Sequence, residues 1–288
     1  MTLDAVMGAV DDATPGAARP KALAFTRFLM LHLVARAWVV LADAGVPRWQ
    51  WALAVGLTLA AGAACFAPTA RRATAVVLAL MSLKLVAALP AASNHLFLET
   101  GLVGLLVFLD PWSDDEAPFL LRGMKCATVI VFFTTGLQKL WYGTYLGGQF
   151  LAFTIANVDT FRAALGFLVA PDELARLRSY APLEGGPYRV ASPLFLLASN
   201  ASWIAEMALP VLLVPLRTRA FALVGAVLFV VAIEAAAREI FFGMLFAELL
   251  LLFAPRDATT RTLPFAAAFY AYLLLMRWSV LPAWSFSN

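Results

Sequence analysis

From residue 21 onward the chain is a succession of apolar runs of membrane-spanning length, joined by short connections that carry arginine and proline. Few folds accept such runs. In hydrocarbon every backbone amide must be satisfied within the protein, so only helices and closed barrels span a membrane. The runs are continuous rather than alternating, which argues against a barrel. With 62% hydrophobic and 14% charged residues, the chain has more apolar surface than a soluble domain of 288 residues needs. The expected fold is an all-α, polytopic integral membrane helical bundle.

About nine segments reach, or nearly reach, spanning length. They are 22–44, 50–68, 73–90, 95–110, 121–142, 193–215, 218–237, 239–254 and 263–284. Pro111, Pro118, Pro215, Pro255 and Pro264 sit at proposed helix ends, where proline stops a helix. Loop charges give the orientation. With the N-terminus inside, inner connections carry Arg19 and Lys21, Arg71 and Arg72, Arg122 and Lys125, Arg217 and Arg219, and Arg256 and Arg261. The short outer loops carry only Arg48 and Arg238. This predicts an N-in, C-out bundle. Residues 1–20, rich in Ala, Gly and Pro, are expected to be a disordered tail ahead of one transmembrane domain, 21–288. The one long connection, 143–192, then falls outside. Its part around 148–170 is expected to lie along the interface as an amphipathic helix, with Phe150, Phe153, Phe161 and Phe167 on the apolar face.

Polar residues inside such segments carry the functional signal. Lys139, one of four lysines, lies in CATVIVFFTTGLQKLWYGTYL. A charged group at the bilayer centre costs at least roughly 2.5–3.5 kcal/mol, so it has a partner, a cavity or a use. A desolvated amine can also be a base. Gln138 is its neighbour, Thr134 and Thr135 lie one turn back, and Gly136 lets a helix or ligand come close. Asn94 and His95 open the fourth segment at the same predicted depth, with Glu99 one turn on. Glu234 and Arg238 are spaced for an intrahelical ion pair, although Glu234 could counter a cation elsewhere. Glu206 and Glu248 are lone acids in apolar helices, and each must be protonated or paired. Arg27, His32, Arg36 and Lys84 read as structural or headgroup contacts. Lys139 itself has a plain reading, a side chain that snorkels to the outer interface.

Two scattered histidines and two scattered cysteines make no metal site, and the formal charge of +3 makes no nucleic-acid surface. Phosphate-loop, dinucleotide and G-x-S-x-G motifs are missing.

Three stretches together, SNHLFLETGLVGLLVFLDPWSDDE, TTGLQKLWYGTYLGGQFLAF and EIFFGMLFAELLLLFAP, resemble the membrane part of vitamin K-dependent γ-carboxylase and its bacterial relatives, the HTTM (horizontally transferred transmembrane) family. The likeness covers about 22–260 and rests on the G-x-x-K-L element with its later glycine (Gly136, Lys139, Leu140, Gly147), N-H-x-x-L and F-x-G-M-x-F. It implies that Lys139 is the base that deprotonates vitamin K hydroquinone. Oxygen addition then yields a base strong enough to take a proton from a carbon acid, and carbon dioxide completes the reaction. His95 would help to stabilise the reacting quinone. Asn94, Gln138, Thr135, Gly136, Glu99 and Glu234 would line the quinone site. The implied cofactor is a reduced quinone of vitamin K or menaquinone type. The implied setting is a bacterial inner membrane, with lipids, quinone and a separately encoded redox or substrate protein as partners.

Two features depart from that family. Ile233-Glu234-Ala235 stands where a histidine often precedes F-x-G-M-x-F, and the chain stops soon after its last apolar segment, where the carboxylases continue into a propeptide-binding region. They favour a second reading, a non-catalytic lipid- or quinone-binding module that scaffolds a redox partner. A small transporter, with Glu206, Glu234 and Glu248 along its path, ranks third.

Overall fold

The computed structural model describes residues 18–43, 45–66, 70–90, 92–180 and 188–280. Most of the expected 1–20 tail, most of the loop 181–192 and the end of the last expected span lie outside these residues. All regular structure among the described residues is helical. The helices are α1 (Ala18–Val40), α2 (Arg48–Phe66), α3 (Ala70–Ala88), α4 (Asn94–Phe108), α5 (Ala117–Tyr142), α6 (Gln149–Asn157), α7 (Asp159–Leu165), α8 (Pro171–Arg178), α9 (Pro193–Leu213), α10 (Leu216–Ala237), α11 (Ile240–Leu250) and α12 (Arg256–Arg277).

Five of them, α1, α2, α5, α9 and α10, are long and apolar enough to cross a membrane. The other expected segments are helical too, but shorter or more polar. The 15 residues of α4 rise only about 22 Å against a hydrocarbon core of roughly 30 Å. Likewise α11 is short, α3 carries Arg71, Arg72 and Lys84, and α12 carries Arg261 and Arg277.

The chain divides into two compact units, Met1–Ala127 with Met244–Asn288, and Thr128–Gly243. In the first unit α1 packs against α2, α4 and α12, α2 against α3, and α3 against α4. The face of α1 that carries Phe25, Phe28, Leu29 and Leu33 is buried. The buried side of α2 is Leu53, Ala54, Leu57, Ala60, Ala61 and Ala64. These positions recur every three or four residues, and the small ones let helices pack closely where lipid offers no hydrophobic drive. The unit has two distinct ends. At one, Trp51 lies edge-on to Trp38 and Trp278, with ring centroids 6.3 and 5.9 Å apart, beside an Arg277–Asp43 pair. At the other, Arg71 donates to the Val107 and Phe108 carbonyls at the C-terminus of α4, and Lys21 donates to the Ala254 carbonyl at 2.9 Å. Cations there cap exposed carbonyls and complement the helix dipole.

In the second unit the latter part of α5 is followed by three short helices, then α9 and α10, which pack together. The part of the connection around 148–170 is not one continuous helix. It breaks at Val158, an extended residue between α6 and α7, and the helices on either side meet at 115°. Counted as one broken span, this pair is a sixth candidate crossing. Asn157, Val158 and Asp159 explain the break, since short polar side chains favour helix ends and Val loses rotamer freedom in a helix. The four phenylalanines are correspondingly divided. Phe150 stacks on Tyr145 and Phe153 meets Tyr188 edge-on, Phe161 packs on a core that includes Leu151, Ile155, Leu177 and Phe195, and Phe167 is exposed.

Candidate functional site

Lys139 sits in the last turn of α5 and is half-buried. Its Nζ donates to Glu206 Oε1 of α9 at 2.6 Å and lies 4.8 Å from the centroid of the Tyr145 ring. A carboxylate and an aromatic face are the two groups that best compensate an ammonium leaving water. Burial, and then the Glu206 carboxylate, push the Tyr145 phenol well above its usual range, so its ring stays neutral. The other oxygen, Glu206 Oε2, is buried without a hydrogen-bond partner.

Gly136 makes this pairing possible. A Cβ added there would lie 2.8 Å from the Trp203 carbonyl, 2.8 Å from Met207 Cγ and 2.9 Å from Glu206 Cβ. Any side chain at 136 would push α9 away and take Glu206 with it. The turn after α5 is also built on glycine. Gly148 precedes α6 at φ +69°, and a Cβ there would lie 3.1 Å from Leu196 Cδ2. Gly143 and Gly148 are the left-handed residues of this turn, and Gly148 is next to the Gly147 of the sequence motif. Thr135 turns its hydroxyl back to the Val131 carbonyl at 2.8 Å, while Gln138 is exposed. Trp141 and Tyr142, just beyond Lys139, are highly exposed, as residues of an aromatic interface belt are.

The remaining expected residues are divided between the two units. Asn94, His95 and Glu99 belong to the first unit and Lys139 to the second. Asn94 is exposed and His95 half-buried. Glu234, at the end of α10, is half-buried against Gly243, where an added Cβ would overlap its carboxyl group. Arg238 is not part of that helix but its left-handed cap, at φ 55°. Their i,i+4 spacing therefore spans a helix end.

Glu99 is the clearest change from the sequence reading. It does not face a shared site with His95 but enters a buried network. His32 Nε2 lies 3.1 Å from Glu99 Oε1, and Arg36 Nη1 pairs with the same oxygen. His32 Nδ1 lies 2.8 Å from the Tyr270 hydroxyl, which in turn lies 2.8 Å from Glu248 Oε1. His32, Glu99, Glu248 and Tyr270 are each at most 2% exposed. The network draws on α1, α4, α11 and α12. Sequence reasoning marked Glu248 as an acid in need of a partner and set His32 and Arg36 aside as structural. Tyr270 passed unnoticed, because a tyrosine in an apolar helix carries no pattern of its own. Two further lysines are buried as well. Lys21 and Lys125 are each 2% exposed, and Lys125 lies 6.0 Å from the Phe253 ring.

Two clefts open in the first unit. One, of about 550 Å³, is lined by Arg19, Arg27, Asp114 and Thr260 among others. The second, of about 180 Å³, is lined by Trp49, Gln50 and Lys84 among others. Neither is formed by Lys139 or His95. Family models, curated proteins and solved structures offer no match to the chain.

Proposed function

We propose that this chain is a multi-pass membrane enzyme akin to the membrane part of vitamin K-dependent γ-carboxylase, in which Lys139 is a base that acts on a reduced quinone. The observation that carries the reading is the Lys139–Glu206 contact of 2.6 Å beside the Tyr145 ring. Glu206 holds the Lys139 amine in place at hydrogen-bond distance, and a positioned amine is what a base requires. Glu206 Oε2, which has no hydrogen-bond partner, adds an acceptor at the same spot. An amine, an open carboxyl oxygen and an aromatic face fit a reduced quinone, which is apolar in its body and acidic at its hydroxyls. When bound, the quinol would supply the acidic hydroxyl and, with oxygen, the stronger base. The chain's own part is to take the hydroxyl proton at Lys139 Nζ and to hold the amine through Glu206. Gln138, Thr135 and Glu234 of the same unit belong to this reading as quinone contacts.

The same reading includes nine crossings, N-in and C-out, on the loop charges of the sequence.

One observation favours a second reading. Lys139 and Glu206 neutralise each other, so the pair also suits a purely structural role in a non-catalytic lipid- or quinone-binding module. One experiment separates the two. Purified protein in nanodiscs is given a reduced menaquinone or vitamin K analogue and oxygen, with Lys139→Met and Glu206→Gln beside wild type. The enzyme reading expects epoxide from wild type and a loss of at least roughly a hundredfold in Lys139→Met, the scale of a positioned base. Quinone binding without turnover in a folded wild type sinks it and leaves the scaffold.

A further inference from the structure

We propose that Glu248, Tyr270, His32 and Glu99 form a proton wire through the first unit, carrying a proton between the Arg36 edge and the buried carboxyl of Glu248. The inference is independent of Lys139 and of the quinone reading.

Geometry comes first. The successive gaps are 2.8 Å from Glu248 Oε1 to the Tyr270 hydroxyl, 2.8 Å from that hydroxyl to His32 Nδ1, and 3.1 Å from His32 Nε2 to Glu99 Oε1. All lie within hydrogen-bond reach. The two interior members are groups that both donate and accept, a phenol and an imidazole. A donor-only group in the middle would block the chain, and none stands there. The donor-only group is at one end, where Arg36 pairs with Glu99. That end lies near the molecular surface, because the Arg36 side chain is 21% exposed and its Nη2 lies 3.5 Å from the exposed Ser93 Oγ.

The two ends are also where hydrogen-bonding capacity is left over. Glu99 Oε2 and Glu248 Oε2 are both buried without a hydrogen-bond partner. Each is an acceptor at which a carboxyl can take up or hold a proton at an end of the chain.

The chain has two orderings with the same protons in different places. In the first, protonated Glu99 donates to His32 Nε2, His32 Nδ1–H donates to Tyr270, and Tyr270 donates to the Glu248 carboxylate. In the second, Glu248 holds the proton and donates to Tyr270, Tyr270 donates to His32 Nδ1, and His32 Nε2–H donates to the Glu99 carboxylate. Conversion moves three protons by one bond each. The O–H of Glu99, the Nδ1–H of His32 and the O–H of Tyr270 break, while Nε2–H, a new Tyr270 O–H and Glu248 O–H form. One carboxyl is neutral and one charged before and after, so no net charge is created in the interior. The second ordering is the resting one, because it leaves the charge on Glu99 beside Arg36 and none on Glu248.

The test is infrared spectroscopy of the full chain in nanodiscs during exchange into heavy water. A protonated-carboxyl band lost in Glu248→Gln is expected, and in wild type that band exchanges readily. In Tyr270→Phe, which keeps the ring and cuts the wire, the band persists and exchanges about a hundredfold more slowly, the lower range of what a positioned proton donor is worth. Thermal unfolding run alongside shows that the variant is folded, and His32→Gln cuts the wire at a second point if it is not. Absence of a band belonging to Glu248, or unchanged exchange in the folded cut variants, overturns the proposal.

Discussion

The two units bury charge in different ways. In the second, one cation meets one anion, Lys139 with Glu206. In the first, five side chains share the task, with the charges gathered at the Arg36 and Glu99 end and neutral groups leading away from it. Losing either member of a pair strands a charge. A chain answers differently at its ends and in its middle, because interior members serve two partners and terminal members one. A pair secures two helices, whereas a chain can also reorder.

The largest effect is expected at the pair. Lys139→Ala or Glu206→Ala alone should lower the unfolding free energy by about 3 kcal/mol, the low end for a broken buried pair because Lys139 keeps 19% side-chain exposure. The joint change Lys139→Met with Glu206→Leu should recover most of that loss in detergent unfolding titrations. A double variant as unstable as the two singles added together would break the contrast.

In the chain, Tyr270→Phe should cost about 1–3 kcal/mol, since it leaves both His32 Nδ1 and Glu248 Oε1 without the hydroxyl. Glu248→Gln, at an end and still able to hydrogen-bond, should cost less than about 1 kcal/mol. Equal losses for the two would show that position in the chain does not matter.

Gly136→Ala should cost about 1–3 kcal/mol by overpacking, because one of the obstructing atoms is the Trp203 backbone carbonyl. Its effect should also fall when Lys139 is already Ala, as measured in a double-mutant cycle, since both changes act on the same pair. Strict additivity would mean that Gly136 packs α9 without setting Glu206. The smallest effect belongs to Asp43→Ala at the exposed Arg277 pair, at most about 1 kcal/mol and fading with added salt. A large, salt-independent loss would place that pair with the buried ones.

Legibility differed between residues for reasons that can be named. Lys139 was visible because a charge interrupts an apolar run, and the same anomaly marked Glu206 as an acid in need of a partner. Their union was not visible, because 67 positions separate them and no local spacing links α5 to α9. Gly136 was legible as a point of close approach, though not what approaches it. Glu99 misled, since one helical turn from His95 suggested a shared site, whereas its carboxyl turns to Arg36 and His32 of α1. The bend at Val158 was also hidden, because phenylalanine spacing through 150–167 continues across it.

Helix class was therefore decided by the sequence alone. Long apolar runs can satisfy their backbone in lipid only by coiling, and that requirement is local to each run. The residues that would sit awkwardly in those helices were decided by the sequence as well, since a buried charge is costly wherever the helix goes. The tertiary structure decided how each was compensated, because a partner is chosen by which helix faces meet. Lys139 met Glu206 through the space at Gly136, while His32 joined Glu99 to Tyr270 because α1 is enclosed by α4 and α12.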